Sequence, residues 1–385
     1  MERNHIIIRS KDKQRPISDL FGIFLEDINH TAGLYAEMVQ NRSFEFSPVD
    51  NPSYHALTAW EKTGDGTDVA LAVLEGDAVS GKNPHYLRMQ AIQVAIGQNA
   101  EGKAGVRNVG FGDGMHFEIG KRYRFSCYAR YAGDSPCSLE VALQDGRGAD
   151  VSCENLSVKQ KSWEKLTCVL TAKETVLNGK LALLIPQGRA IELDFVSLFP
   201  EETYKGRENG LRKDLAETLE ELHPRFLRFP GGCLVHDGQL DGNARDSLYR
   251  WKNTIGPVEE RPARRNNWRY NQTLGLGYYE YFLLCEDIGA KPVPILPAAY
   301  DPHHKRAVPL NGLNLWIQET LDLIEFANGD ASAGWGKVRA ELGHERPFGL
   351  EYIGIGNEEV GDGFRERFPL NCSPAGYRRA VEENL

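Results

Sequence analysis

Only seven of the 385 residues are cysteines: Cys127, Cys137, Cys153, Cys168, Cys233, Cys285 and Cys372. They are odd in number, scattered, and without a Cys-x-x-Cys pair or a Cys/His spacing typical of zinc. That pattern excludes a disulfide framework and reads as reduced thiols. No run of about twenty apolar residues, the length needed to cross a bilayer, is present. Positive charge is not in excess either, since 45 Lys and Arg against 54 Asp and Glu leave a net charge of −9. Phosphate backbones and anionic membranes are held by basic patches that release counterions, so neither nucleic acid nor membrane is an expected partner. The start has no signal-peptide core, because Ile6, Ile7 and Ile8 run straight into Arg9, Lys11, Asp12 and Lys13. A cytoplasmic location is the corresponding expectation. His303-His304 could offer metal ligands, but adjacent side chains seldom face one ion, so neither metal nor cofactor is expected.

What is present is an ordinary globular composition, 41% hydrophobic and 26% charged, in a chain long enough for two or three domains. Three textures follow one another. Residues 1–47 hold the apolar run Leu20-Phe21-Gly22-Ile23-Phe24-Leu25, which stops on Glu26-Asp27, and then a helical pattern from Gly33 to Gln40. An apolar strand ending on carboxylates is the signature of a parallel α/β sheet. Residues 48–200 switch to short alternating segments: Tyr123 to Tyr128, Ser138 to Leu143, Trp163 to Leu170, Lys180 to Ile185 and Ile191 to Leu198. Period-two strands at that spacing predict an antiparallel β-sandwich, here an inserted domain.

Helix and strand alternate again over residues 201–385. Helices are expected at Gly210–Leu222, Gly275–Ile288 and Leu313–Asn328. Strands are expected at Arg225–Phe229, Lys291–Leu296 and Leu350–Ile355, the last ending at Gly356-Asn357-Glu358. With Phe21–Leu25 this makes four strands joined by helical crossovers, the way both a doubly wound sheet and a (β/α)8 barrel begin. No Gly-x-Gly-x-x-Gly follows any of them, which disfavours a dinucleotide fold. The fold class is therefore α/β, with about the first four strands of a barrel and an inserted antiparallel sandwich of jelly-roll type.

Glu358 closes an apolar strand behind Asn357, and Glu26 closes the first. A carboxylic acid on such a rim, with low-dielectric walls, can donate a proton near neutral pH, and a neighbouring amide can hold a hydroxyl. Two carboxylates over one cleft suit glycoside hydrolysis, one protonating the leaving oxygen while the other attacks or activates water. The same pattern also allows both acids to cap helices or pair with arginines such as Arg228. Arg228-Phe229-Pro230-Gly231-Gly232-Cys233 turns sharply enough for backbone to approach a ligand, or is an ordinary tight turn. The loop Gly256–Pro262 and Trp268 follow that strand; an aromatic there could stack on a sugar or belong to a core. Trp60, Tyr86, Tyr128 and Trp163 are the aromatics with which the sandwich could bind glycan, although Trp163 on its alternating strand reads as core.

Four motifs in order now resemble glycoside hydrolase family 51 α-L-arabinofuranosidases. They are Phe21 to His30 with its continuation through Gly33–Glu37 and Gln40–Glu45, Leu227 to Cys233, Gly256–Pro262, and Ile355-Gly356-Asn357-Glu358. The resemblance implies a (β/α)8 barrel, an inserted carbohydrate-binding-module-like sandwich, and retaining removal of terminal α-L-arabinofuranosyl residues from arabinan- or arabinoxylan-type glycans. Residue by residue, Glu358 matches the acid/base and Asn357 the neighbour that contacts the 2-hydroxyl. Glu26 matches a substrate-binding glutamate and Trp268 an aromatic of the furanose pocket. Arg228, inside the matching motif, is expected to bind substrate, and Cys233 sits where one branch has a sugar-binding Asn. The family's nucleophile is a second glutamate on a later strand, so the resemblance implies that it lies beyond Leu385. Residues 1–18, with Ile6–Ile8, would add strands to a C-terminal sandwich that is also expected beyond that point. A truncated, inactive and poorly stable chain is the resulting expectation, with a homo-oligomer one possibility at full length. A non-catalytic carbohydrate-binding fragment and a β-xyloside or β-glucan hydrolase are the alternatives.

Overall fold

The computed structural model describes residues 19–28, 33–64, 67–92, 102–240 and 247–358. The expectations for residues 1–18 and for the tail from Glu359 to Leu385 lie outside them.

Four short strands, Ile23–Phe24, Phe226–Phe229, Lys291–Leu296 and Gly354–Ile355, pair side by side in chain order. Every pairing is parallel, with Ile23 opposite Leu227, Phe226 opposite Lys291 and Ile295 opposite Gly354. Their residues are apolar because helices cover the face: α1 (Lys213–Glu221), α2 (Tyr278–Asp287), α3 (Asn314–Asn328) and α4 (Gly334–Glu341). Phe229 stacks on Tyr281 of α2 with ring centroids 4.8 Å apart, and Phe282 stacks on Phe348 at 4.9 Å. The three expected helices are present within a few residues of their predicted ends. The fourth, α4, carries three small or turn-forming positions in Gly334, Gly336 and Ala340, and its weak apolar periodicity hid it.

Between the first and second parallel strands the chain builds two antiparallel sheets. One pairs Val69–Ser80, Asn83–Ala91, Ala190–Pro200, Arg122–Tyr131 and Glu164–Thr171 in that spatial order. The other pairs Trp60–Gly64, Lys103–Asn108, Val176–Pro186, Cys137–Gln144 and Asp150–Val158, with Met115–Phe117 also on Val176–Pro186. All five alternating segments read from the sequence fall within or beside these strands. Their inward residues, Phe125, Cys127, Ala129, Leu139, Val141, Leu183, Ile185, Leu193 and others, share one core.

Two readings are corrected. Gly33 to Gln40 is not a helix: Tyr35 bridges Leu211, and Glu37 is buried with its carboxylate accepting from the amides of Val39 and Leu198 and from Ser197. A carboxylate that takes backbone amides as partners offers the chain an alternative to helical hydrogen bonds. Val39 and Phe44 accordingly lie in the sandwich core, while Leu34 and Tyr35 lie in the α/β core. Trp163 is not a core residue. It precedes its strand, half-buried, with the Arg130 guanidinium 4.3 Å over one face and its indole N–H donated to Asp77 O at 2.9 Å. Trp60 and Tyr86 are buried instead, so neither offers a face to a glycan.

Candidate active site

Carboxyl ends of parallel strands collect side chains from separate parts of the sequence at one rim, and here the turns do the aiming. After the second strand the chain passes Pro230 into Gly231, whose φ of +155° lies at the edge of what L side chains adopt. A Cβ on Gly231 would sit 2.5 Å from Glu26 Cγ, and one on Gly232 would meet the Asn357 amide and Glu26 Oε1 at 3.3 Å. The two glycines therefore exist to let the first and fourth strands' rim residues close on this turn.

Arg228 is the centre of the cluster. Its Nη2 donates to Asn357 Oδ1 at 2.7 Å and its Nη1 to Gly231 O at 3.2 Å, while the Phe24 ring lies 4.4 Å beneath the guanidinium. Burial lowers the Arg228 pKa, opposed by the carboxylates of Glu26 and Glu358. Cys233 Sγ donates to Glu358 Oε2 at 3.4 Å. Glu358 is exposed and holds a φ of +52°, a left-handed conformation that costs a non-glycine residue roughly 1 kcal/mol and tends to mark functional positions. Glu26 Oε1 is buried and, among the described residues, has no hydrogen-bond partner.

Five of the six residues singled out from the sequence, Glu26, Arg228, Cys233, Asn357 and Glu358, thus come together. Trp268 does not join them. It sits 45% exposed in the turn between Arg264–Arg265 and Asn271–Gln272, and among the described residues none of its hydrogen bonds or ring contacts reaches the cluster. That turn is nevertheless tied to the first strand, because Asp27 accepts from Tyr270 and Gln272 while Asn266 donates to Asp27 O. The Gly256–Pro262 loop faces elsewhere: Glu259 meets Tyr128 and Lys165 of the antiparallel sheet, and Asn83 donates to the carbonyls of Glu259 and Arg261. A cleft of about 970 Å³ also lies away from Glu358, between Tyr35, Glu37, Met115, Arg122 and Arg212.

Sequence reading missed His236. It is fully buried, its ring faces His303, and it is bonded to the Asn357 backbone. Burial, then His303, lowers its pKa. The signal available was its position three residues after Cys233, where a tight turn returns to the same side.

The Cys233 thiol is pushed up to about 11, first by burial and then by Glu358 and Glu26. At pH 8 Cys233 is therefore expected to alkylate with iodoacetamide more slowly than the exposed Cys153. Glu358→Gln should speed labelling of Cys233 about tenfold, the effect of one pKa unit on the thiolate fraction. Site-resolved mass spectrometry reads both rates, and an unchanged Cys233 rate would separate the two side chains.

The fold and site define a parallel α/β protein whose strand rim gathers two glutamates, an arginine and an amide around a glycine turn. Comparison with known proteins narrows the class. The family described as the alpha-L-arabinofuranosidase 1 domain matches residues 218–383. An extracellular exo-alpha-L-arabinofuranosidase of Streptomyces chartreusis is 47% identical over 374 residues, covering 94% of this chain and 42% of that protein. Alpha-L-arabinofuranosidase 1 of Arabidopsis thaliana is 38% identical over 355 residues, covering 90% of this chain and 50% of that protein. Among solved structures, an arabinose-bound GH51 α-L-arabinofuranosidase superposes with a TM-score of 0.82 at 30% identity, over 94% of this chain and 57% of that one. Over nearly its whole length the chain is similar to glycoside hydrolase family 51 α-L-arabinofuranosidases, and it spans about half the length of the curated relatives it matches. The cytoplasmic expectation finds no support here, since the Streptomyces relative is an extracellular enzyme. Among the described residues no helix is long and apolar enough to cross a membrane.

Proposed function

We propose that this chain carries the proton-donating half of a retaining α-L-arabinofuranosidase acting on terminal residues of arabinan- or arabinoxylan-type glycans. The observation that carries the reading is the convergence of Glu358 and Glu26 on Arg228 beside the Gly231-Gly232 turn. Glu358 protonates the leaving glycosidic oxygen, then takes a proton from water as the glycosyl–enzyme ester is hydrolysed. Glu26 Oε1, buried and without a partner among the described residues, is an acceptor for a sugar hydroxyl, and such a hydroxyl offsets the cost of leaving it unpaired. Arg228 holds the Asn357 carboxamide so that its N–H side faces the sugar. Trp268, exposed on a turn tied to the first strand through Asp27, is the aromatic available to lie against the furanose.

Four parallel strands in chain order, without the reversal of a doubly wound sheet, support half of a (β/α)8 barrel, and the two antiparallel sheets support a jelly-roll insert. On this reading the nucleophile is not among Met1–Leu385, and that polypeptide alone turns over no substrate. In a polypeptide long enough to supply the second glutamate, proton NMR of aryl α-L-arabinofuranoside hydrolysis should show the α-anomer of arabinose first. A first-formed β-anomer would rule out double displacement.

A further inference from the structure

Cys233 opens a short 3-10 turn, Cys233–Val235, and His236 follows it, its amide donating to Cys233 O at 3.2 Å. Residues three apart on such a turn eclipse, so the thiol and the imidazole project to one side. A second segment, the turn joining Tyr300–Asp301 to Arg306–Ala307, brings His303 Nε2 to 3.1 Å from His236 Nε2. The thiol and the two imidazoles place their donor atoms within 4.8 Å of one another, and Glu358 Oε2 lies 3.4 Å from the sulfur.

We propose that Cys233, His236 and His303 bind a borderline-soft divalent cation of the zinc type, with the remaining coordination position open towards Glu358. The donor set selects the metal, because one thiolate and two imidazoles suit zinc or cobalt and not the oxygen-seeking calcium or magnesium. The geometry agrees: with metal–nitrogen bonds of about 2.0–2.1 Å, nitrogens 3.1 Å apart subtend roughly 100°, near the tetrahedral angle. Closing the set needs no more than about 1 Å of side-chain movement, which the exposed His303 turn can supply. Binding forms metal–sulfur and metal–nitrogen bonds and releases one proton, from the thiol, to solvent.

The neighbouring set Asp237, Asp301 and His304 does not compete. Arg265 donates to Asp237 at 2.6 Å and Arg306 to Asp301 at 2.6 Å, so guanidinium groups already neutralise those carboxylates. Metal at Cys233 would hold the Glu358 carboxylate and stop proton donation; that consequence alone rests on the proposed function.

Cobalt(II) titration of the metal-free polypeptide Met1–Leu385 tests the site without needing turnover. A one-to-one complex is expected to show intense visible bands of tetrahedral cobalt and a near-ultraviolet thiolate-to-cobalt band, both removed by an equivalent of zinc. Cys233→Ser should abolish the thiolate band, and His303→Ala, on an exposed turn, should weaken cobalt binding at least about tenfold. Circular dichroism checks that each variant stays folded. A thiolate band that survives Cys233→Ser, affinity unchanged in His303→Ala, or only the weak bands of octahedral cobalt would overturn the assignment.

Discussion

In a polypeptide that supplies the second glutamate, Glu358→Ala is expected to lower arabinose release from arabinan about 10²–10⁴-fold, the contribution typical of a positioned acid/base. Natural linkages leave through poor leaving groups, so loss of the proton donor falls on glycosyl–enzyme formation. An aryl substrate with an acidic phenol needs less help to leave, and with it the defect moves to hydrolysis of the covalent intermediate. Azide, which attacks without needing a general base, should then restore turnover and give a glycosyl azide. Loss on arabinan, smaller loss on the aryl glycoside and azide rescue together identify the acid/base and separate it from a misfolded variant. Equal turnover of wild type and variant would remove Glu358 from the chemistry. Asn357, which accepts from Arg228 and donates to Glu358 Oε2 at 3.5 Å, should both raise KM and lower kcat when changed to Ala.

The second large effect concerns stability. Arg261, only 3% exposed, spends its N–H groups on Glu280 at 2.8 and 3.0 Å, on Leu274 O and Gly275 O at 2.9 Å, and on Gly256 O. Glu280 also accepts from the Gly277 amide at 2.9 Å, so the pair fixes the start of α2. Burial lowers the Arg261 pKa, but the Glu280 carboxylate outweighs it and the guanidinium is held above its usual range. Arg261→Met would leave that carboxylate without its counter-ion, with only Gly277 and Asn209 still donating to it, and would strip the guanidinium donors from three carbonyls; breaking a buried pair from one side costs about 3–5 kcal/mol. Denaturant unfolding should show the loss as a lower midpoint. Arg261→Lys should recover only a minor part, because a point charge cannot reach both carboxylate oxygens and the carbonyls together. The double change Arg261→Met with Glu280→Gln should cost less than the sum of the singles. A loss below about 1 kcal/mol in Arg261→Met would show that this junction does not hold the loop against α2 and Asn83.

The particular misreadings have a common cause. Alternation along Tyr123–Tyr128 and Ile191–Leu198 announced strands because each residue's own neighbours set the pleat and one face meets a core. Gly33–Gln40 carried a helical pattern that lost to Glu37, whose buried carboxylate found the Leu198 amide and the Ser197 hydroxyl, about 160 residues away. Trp163 looked like core because its spacing fitted; Arg130 and Asp77 hold it at the surface instead. The Gly256–Pro262 motif was visible, but its docking on Asn83 depends on a sheet built from distant sequence.

By itself the sequence determined the four apolar strands with polar ends, the alternating insert and the order of the Glu26, Arg228–Cys233 and Asn357-Glu358 motifs, since hydrophobic periodicity and turn residues act locally. Only the tertiary structure decided that Arg228 stands between two carboxylates, that His236 meets His303 across 67 residues, and that Arg261 faces Glu280 and not the rim cluster around Arg228. Those relations arise from parallel strands laying distant rims side by side, and no local pattern of residues carries the distance between them.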